Sequence, residues 1–377
     1  MTTTPTIVFT GNAGPGIAIA AAATALRAAA DGRRTLLLSL GPPHSLGALL
    51  GAAIGGEPCD IAPNLAALAL DTPAELAALW ERGRTHMPAQ LAQVAGDELP
   101  LPPGLEMFFG LLRLRTLAPQ YDLAIVEAGP HDMLLRALAL PDGLRWGVRL
   151  LFGLDRGPGR SPASVGRALL PTSFIPPDTL DRIQETRAEA ERVRALLTAA
   201  GSASARYVLR PDQPALEEAR LAVPALQLHG LAVPALIAGP LLPDDLGDAR
   251  LASLAAQQRA LLDEAGSLWP ARPLLRFGLS SGEGLMALGV IGEQLSEQED
   301  AVGAFSNAPI LEEYEGAPAV VIELPGMPKN ALQITLSGDE LIVRVGPYRR
   351  HILLPEALRG ASIKATREGD RVVVRRR

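Results

Sequence analysis

The residues of this chain best placed to do chemistry form one short loop, Gly11-Asn12-Ala13-Gly14-Pro15-Gly16-Ile17-Ala18-Ile19. It follows an apolar run, Thr6 to Thr10, and opens an alanine-rich stretch, Ile17 to Ala30. A strand, a glycine loop and a helix in that order turn backbone N–H groups and a helix N-terminus toward one point, where they can hold an anion such as phosphate. Gly14 and Gly16 permit the tight turn such an anion nest needs, while Pro15 removes one N–H from the cradle. Phosphoryl transfer also demands cations. The chain has only two lysines, Lys329 and Lys364, and the first 328 residues contain none, so no lysine in that part can neutralise a phosphate.

Other candidates are thinner. The glycines Gly11, Gly14 and Gly16 also suit a dinucleotide loop, but that site wants an acid closing the second strand, where this chain has Leu40-Gly41. His44 and His131 fall near the expected carboxyl edge of the sheet without metal spacing around them, and Ser45, His131 and Asp132 lack a nucleophile-elbow motif. His86, His229 and His351 are isolated. Cys59 is the only cysteine, which excludes an intrachain disulfide and a two-thiol metal clip. No metal site is expected.

The elements that would position the loop read as α/β. Thr6–Thr10, Thr35–Leu40, Tyr121–Glu127, Ala205–Leu209, Pro234–Ala238 and Pro273–Phe277 are short strands, each followed by a turn signal and a helical pattern. That rhythm predicts a mostly parallel sheet with helices on both faces. It breaks between Trp146 and Pro177, and residues 146–200 read as a helical insertion. Residues 1–295 therefore form one domain, 296–315 a linker and 316–377 a small β-sandwich of six strands.

Composition bounds the rest. A content of 48% hydrophobic and 20% charged residues fits a folded chain, and no apolar run reaches the length of a membrane span. The opening residues carry no secretory pattern, so the expected location is the cytoplasm. Net charge is −6, with the 316–377 stretch at +5 and the remainder at −11. The terminal Arg375-Arg376-Arg377 reads as a solvated run, and no nucleic-acid partner is expected.

The text around the loop, IVFTGNAGPGIAIAAAATALRAAADGRRTLLLSLGPPHSLGALLG, resembles the opening of the arsenical pump-driving and tail-anchored-protein-targeting ATPases. That family reads G-K-G-G-V-G-K-T-T at the loop and S-T-D-P-A-H-S-L after the second strand. The resemblance runs on through Pro63-Asn64-Leu65, Pro103-Gly104-Leu105-Glu106 and YDLAIVEAGPHDMLLRALALP, covering roughly residues 5 to 295. It implies a P-loop NTPase-type fold, ATP with Mg²⁺ as cofactor, and a homodimer. The family's phosphate-binding lysine falls on Ile17, its magnesium-ligating hydroxyl on Ala18, and its dimer-crossing lysine on Asn12. The water-orienting aspartate falls on Gly41, the magnesium-associated aspartate on Glu127, and the adenine-reading asparagine near Gly239.

The 60-odd residues VVIELPGMPKNALQITLSGDELIVRVGPYRRHILLPEALRGASIKATREGDRVVVRR resemble the small heat-shock protein (α-crystallin) domain. Together the two resemblances and the departures lead us to expect a non-hydrolysing scaffold or chaperone for apolar or membrane-protein clients. Gly11, Asn12, Gly14, Gly16, Ile17, Ala18 and Gly239 would then be a vestigial phosphate site, with Gly41 and Glu127 vestigial catalytic positions. The alternative is a working ATPase for anion transport or tail-anchored-protein targeting, in which Arg33 or Arg136 replaces the missing cation.

Overall fold

Short, largely aliphatic runs, too brief for buried helices, make most of the eight strands of the main sheet. They are β1 (Thr6–Gly11), β2 (Thr35–Ser39), β3 (Cys59–Ala62), β4 (Leu65–Ala69), β5 (Leu123–Pro130), β6 (Ala203–Leu209), β7 (Ala235–Leu241) and β8 (Leu274–Gly278). In this computed structural model, residues 4–41, 43–84, 92–100, 105–152, 177–199, 201–280, 282, 284–299, 311–314 and 316–377 are described. The strand order is β3-β4-β2-β5-β1-β6-β7-β8, parallel except for β3, which pairs antiparallel with β4. β1 thus lies between β5 and β6, and the loop leaves its carboxyl end in mid-sheet.

Helices α1 (Gly16–Ala30), α2 (Pro43–Leu50), α3 (Thr72–Gly83), α4 (Leu105–Leu117), α5 (His131–Phe152), α6 (Pro177–Thr198), α7 (Gln213–Leu228), α8 (Ala249–Leu268) and α9 (Gly284–Glu299) accompany the strands. Ile7, Phe9, Leu37 and Ile125 pack with α1 and α9 on one face, and Val8, Leu36, Leu38 and Val126 are equally buried on the other. This explains why the central strands are apolar throughout instead of alternating. Small side chains let α1 approach closely: Ala20, Ala21, Ala22, Ala23 and Ala25 are fully buried, and a Cβ on Gly292 of α9 would meet the Ala23 carbonyl at 2.7 Å.

The described chain divides into two compact units, the first comprising residues 1–137, 201–219 and 233–305, the second 138–200, 220–232 and 306–377. The division passes through α5 and α7. In the second unit β9 (Leu311–Tyr314), β10 (Ala317–Glu323), β14 (Ile363–Glu368) and β15 (Arg371–Arg376) form a sheet in the order β14-β15-β10-β9. β11 (Leu332–Ser337), β12 (Glu340–Val345) and β13 (Tyr348–Leu353) form a second, and all pairs are antiparallel. The inward residues Val320, Ile322, Val372 and Val374 meet Leu341, Val343, Val345 and Ile352, with Leu228 and Leu221 of α7 completing the cluster. On the other face of the four-stranded sheet, Tyr314 packs on Ala319, Val321 and Val373 beneath the Arg375 guanidinium and donates its hydroxyl to Glu368.

Both ends of the stretch read as a linker belong to regular elements. Ser296–Glu299 closes α9, whose polar exposed side the sequence presents as a charged run, and Leu311–Tyr314 extends the sandwich as β9 because it pairs with β10. Residues 300–310 and 315 lie outside the described residues, as do His86, Pro103, Gly104 and insertion residues 153–176 with Leu169, Leu170, Phe174 and Ile175. The side chains of Leu150, Leu151 and Phe152 also fall outside the description, whereas Trp146 is 50% exposed. Among the described residues no helix is long and apolar enough to cross a membrane, and no group of His, Cys, Asp and Glu suits a metal ion.

Candidate functional site

The glycine loop is shaped by neighbouring strands. Gly11 pairs with Val208 of β6 so closely that a Cβ on it would lie 2.0 Å from the Val208 carbonyl oxygen, and that oxygen accepts the Asn12 N–H at 3.1 Å. Ala13, Gly14 and Pro15 form an exposed apex, and Pro15 stands as N-cap of α1 with no side-chain cap. Gly16 then passes the end of β7, where its Cβ would meet the Gly239 carbonyl at 2.8 Å, and Gly239 is itself pressed on the Phe277 ring. Backbone packing alone therefore requires glycine at 11, 16 and 239.

The side chains at the phosphate positions turn elsewhere. Ile17 is 2% exposed and belongs to the core under α1, and Ala18, half-buried, offers no hydroxyl. Asn12 is buried and its Nδ2 donates to the Ala215 carbonyl at 3.2 Å and to Glu218 Oε2 at 2.7 Å, while its Oδ1 accepts the Arg210 N–H at 3.4 Å. Arg210 Nη1 donates to the Ala13 carbonyl at 3.0 Å, and its guanidinium is ion-paired with Asp212. The Asp212 hydrogen bond chiefly, with the Asp212 and Glu218 charges behind it, raises the Arg210 pKa. One cation, Arg210, and two carboxylates, Asp212 and Glu218, thus stand beside the loop, and the cation is already paired.

Glu127, in the middle of β5, is 7% exposed. Burial pushes its pKa up, against the pull of Ser39, whose hydroxyl donates to Oε2 at 2.5 Å, and of the Gly41 and Gly129 N–H groups. A Cβ at Gly41 would lie 3.0 Å from that same Oε2, so the carboxylate fills the space a side chain at 41 would take. Gly41→Ala is expected to cost about 1–2 kcal/mol, and less in a Glu127→Ala background, a coupling that a double-mutant cycle of urea midpoints reads directly.

His131 caps the arrangement from α5: its Nδ1 is 2.8 Å from the Gly11 carbonyl and 3.3 Å from the Tyr207 hydroxyl, a loop-packing role. Asp132 is ion-paired at 3.0 Å with Arg136, the cation expected as a lysine substitute, one turn along the exposed side of α5. Arg33 follows α1, whose 15 residues carry it about 22 Å from the loop to the amino edge. The side chain of His44 lies outside the described set. Sequence reasoning missed Arg210, Asp212 and Glu218, because they become neighbours of the loop only once β6 is known to lie beside β1.

Beside the loop the ends of β7 and β8 with α1, α2 and α9 enclose an apolar hollow of about 440 Å³, lined by Ile19, Leu49, Pro240, Phe277 and Ile291 among others. Leu279, Met286 and Val290 are 59%, 85% and 52% exposed, the last two one helical turn apart on α9.

Comparison with known proteins matches the profile of the anion-transporting ATPases over residues 4–297 and that of an HSP20-like domain found in such proteins over 315–375. A Chlorobaculum tepidum protein named "Putative arsenical pump-driving ATPase" is 28% identical over 368 residues, covering 94% of this chain and 91% of its own. The uncharacterized protein SCO2128 of Streptomyces coelicolor is 32% identical, with 98% and 96% covered, and protein Rv2184c of Mycobacterium tuberculosis 29%, with 94% and 91% covered. The strand–loop–helix geometry at Gly11–Gly16 and the extent of these matches lead to one assignment: the chain belongs to the anion-transporting ATPase family.

Proposed function

We propose that this family member is a non-hydrolysing scaffold or chaperone that binds apolar protein segments in the cytoplasm as a homodimer. The observation that carries the reading is Ile17, buried in the core at the position where the family resemblance puts the phosphate-binding lysine. Ala18 and Gly41 add the lack of a metal-ligating hydroxyl and of a water-orienting carboxylate, and phosphoryl transfer depends on each of these groups. Leu279, exposed at the rim of the apolar hollow, and the hollow itself are the surface on which a client helix would bury area.

A fluorescent ATP analogue titrated with and without Mg²⁺ is expected to show no saturation in the micromolar range, and phosphate release should match a mock preparation. Magnesium-dependent micromolar binding, or hydrolysis abolished by Glu127→Gln, would refute the proposal. The relatives named as arsenical pump-driving ATPases favour the second reading, a working ATPase. It would need Arg210 to exchange Asp212 for a phosphate, so Arg210→Gln would abolish its binding.

A further inference from the structure

The second compact unit contains a polar joint built from three helices and two strands. Glu340 and His351 alternate with the core residues of β12 and β13, so they stand on the outer face of that sheet, yet their side chains are only 6% and 13% exposed. Arg145 of α5 reaches between them: its Nη2 is 3.5 Å from Glu340 and donates to the His351 carbonyl at 3.4 Å. Asp142, one turn earlier, is bonded by Arg194 of α6 at 2.9 Å, and Arg194 also holds Glu191 at 2.5 Å. At the end of the sandwich, Arg350 donates to the carbonyl of Leu228, the last residue of α7, satisfying a group that a helix terminus leaves open. Leu221 and Leu228 close the sandwich core beside it.

Arg145 and Arg194 stand here against Asp142, Glu191 and Glu340, while burial and the Arg194 charge lower the Arg350 pKa to about 10. Exposed pairs contribute little, but a desolvated network of this kind fails when one member is removed. Glu340 and His351 are therefore engaged within the chain, while Arg344, Arg349 and Leu353 of the same two strands stay exposed.

We propose that the C-terminal sandwich acts on its own chain, the Glu340–His351 end of the β12–β13 face being a docking surface that braces α5 and α6 through the link Glu340–Arg145–Asp142–Arg194. The brace operates whether or not the glycine loop takes up a nucleotide.

The test uses the full chain with a protease site placed among residues 301–309. After cleavage the sandwich fragment should stay with the remainder in gel filtration, with amide exchange in 138–146 and 188–198 unchanged. Arg145→Glu should release the fragment on cleavage and speed exchange in those helices by about tenfold or more. The charge swap Arg145→Glu/Glu340→Arg should restore both, which separates a broken link from a misfolded variant. Release of the fragment from the unsubstituted cleaved chain overturns the proposal. So does retention in Arg145→Glu, unchanged exchange once the fragment has left, or failure of the swap to rescue.

Discussion

Gly11→Ala is expected to destabilise the first compact unit by about 3 kcal/mol or more, although it adds a single carbon. The new Cβ would stand 2.0 Å from the Val208 carbonyl oxygen and 2.8 Å from the Val208 nitrogen, both backbone atoms of a paired strand. A flexible side chain could rotate aside, whereas β6 can yield only by loosening its register with β1 and the bond from the Asn12 N–H. Gly266 in α8 is the contrasting position: nothing lies within 4 Å of its Cβ direction, and alanine there should stabilise by about 0.5–1 kcal/mol. Urea unfolding of the two variants beside the parent chain checks both signs. Equal, small changes would mean that the loop is held less tightly by β6 than the geometry requires.

Acidification should weaken the second unit through His229. This ring is fully buried, its Nδ1 has no hydrogen-bond partner among the described residues, and its pKa is lowered to about 3 by burial first and by the Arg350 and Arg194 charges next. The unfolded chain takes up the proton near pH 6.5 and the folded one does not, so the contribution is complete above about pH 6.5 and is lost as pH falls toward 3. The slope is about 1.4 kcal/mol per pH unit at most. Between pH 6.5 and 4.5 the parent chain should therefore lose about 2–3 kcal/mol more than His229→Gln, since other titrating groups cancel in the difference. Parallel pH dependences in denaturant melts of the two proteins would rule out this role for the histidine.

Much of the main sheet is legible because its strands are short, apolar and spaced by helical patterns, as at Thr35–Ser39 and Leu123–Pro130. β3 escapes such reading: Cys-Asp-Ile-Ala neither alternates nor runs apolar, and it is a strand only because β4 offers an edge. β9 is missed for the same reason. At the site, Gly11, Gly16 and Ile17 can be placed from the sequence because loop and helix are contiguous. Arg210 and Glu218 lie about two hundred residues away, and their role follows from the β1–β6 pairing. Strand order depends on which edges find partners, a long-range outcome that local pattern does not encode. The joint around Arg145 is likewise silent in the sequence, since Asp142 and Arg145 look like any solvated helical pair until β12 covers them.

Gly41 and Glu127 occupy one volume between them, and this constrains the order in which the pair can change over generations. An aspartate gained at 41 beside Glu127 would set its Cβ against Oε2 and bring a second carboxylate behind it, so that step costs stability unless the glutamate moves. Shortening the side chain at 127 first makes room, and withdraws the carboxylate from the Ser39 hydroxyl and the Gly129 N–H. Each single change is thus expected to be less stable than the paired exchange.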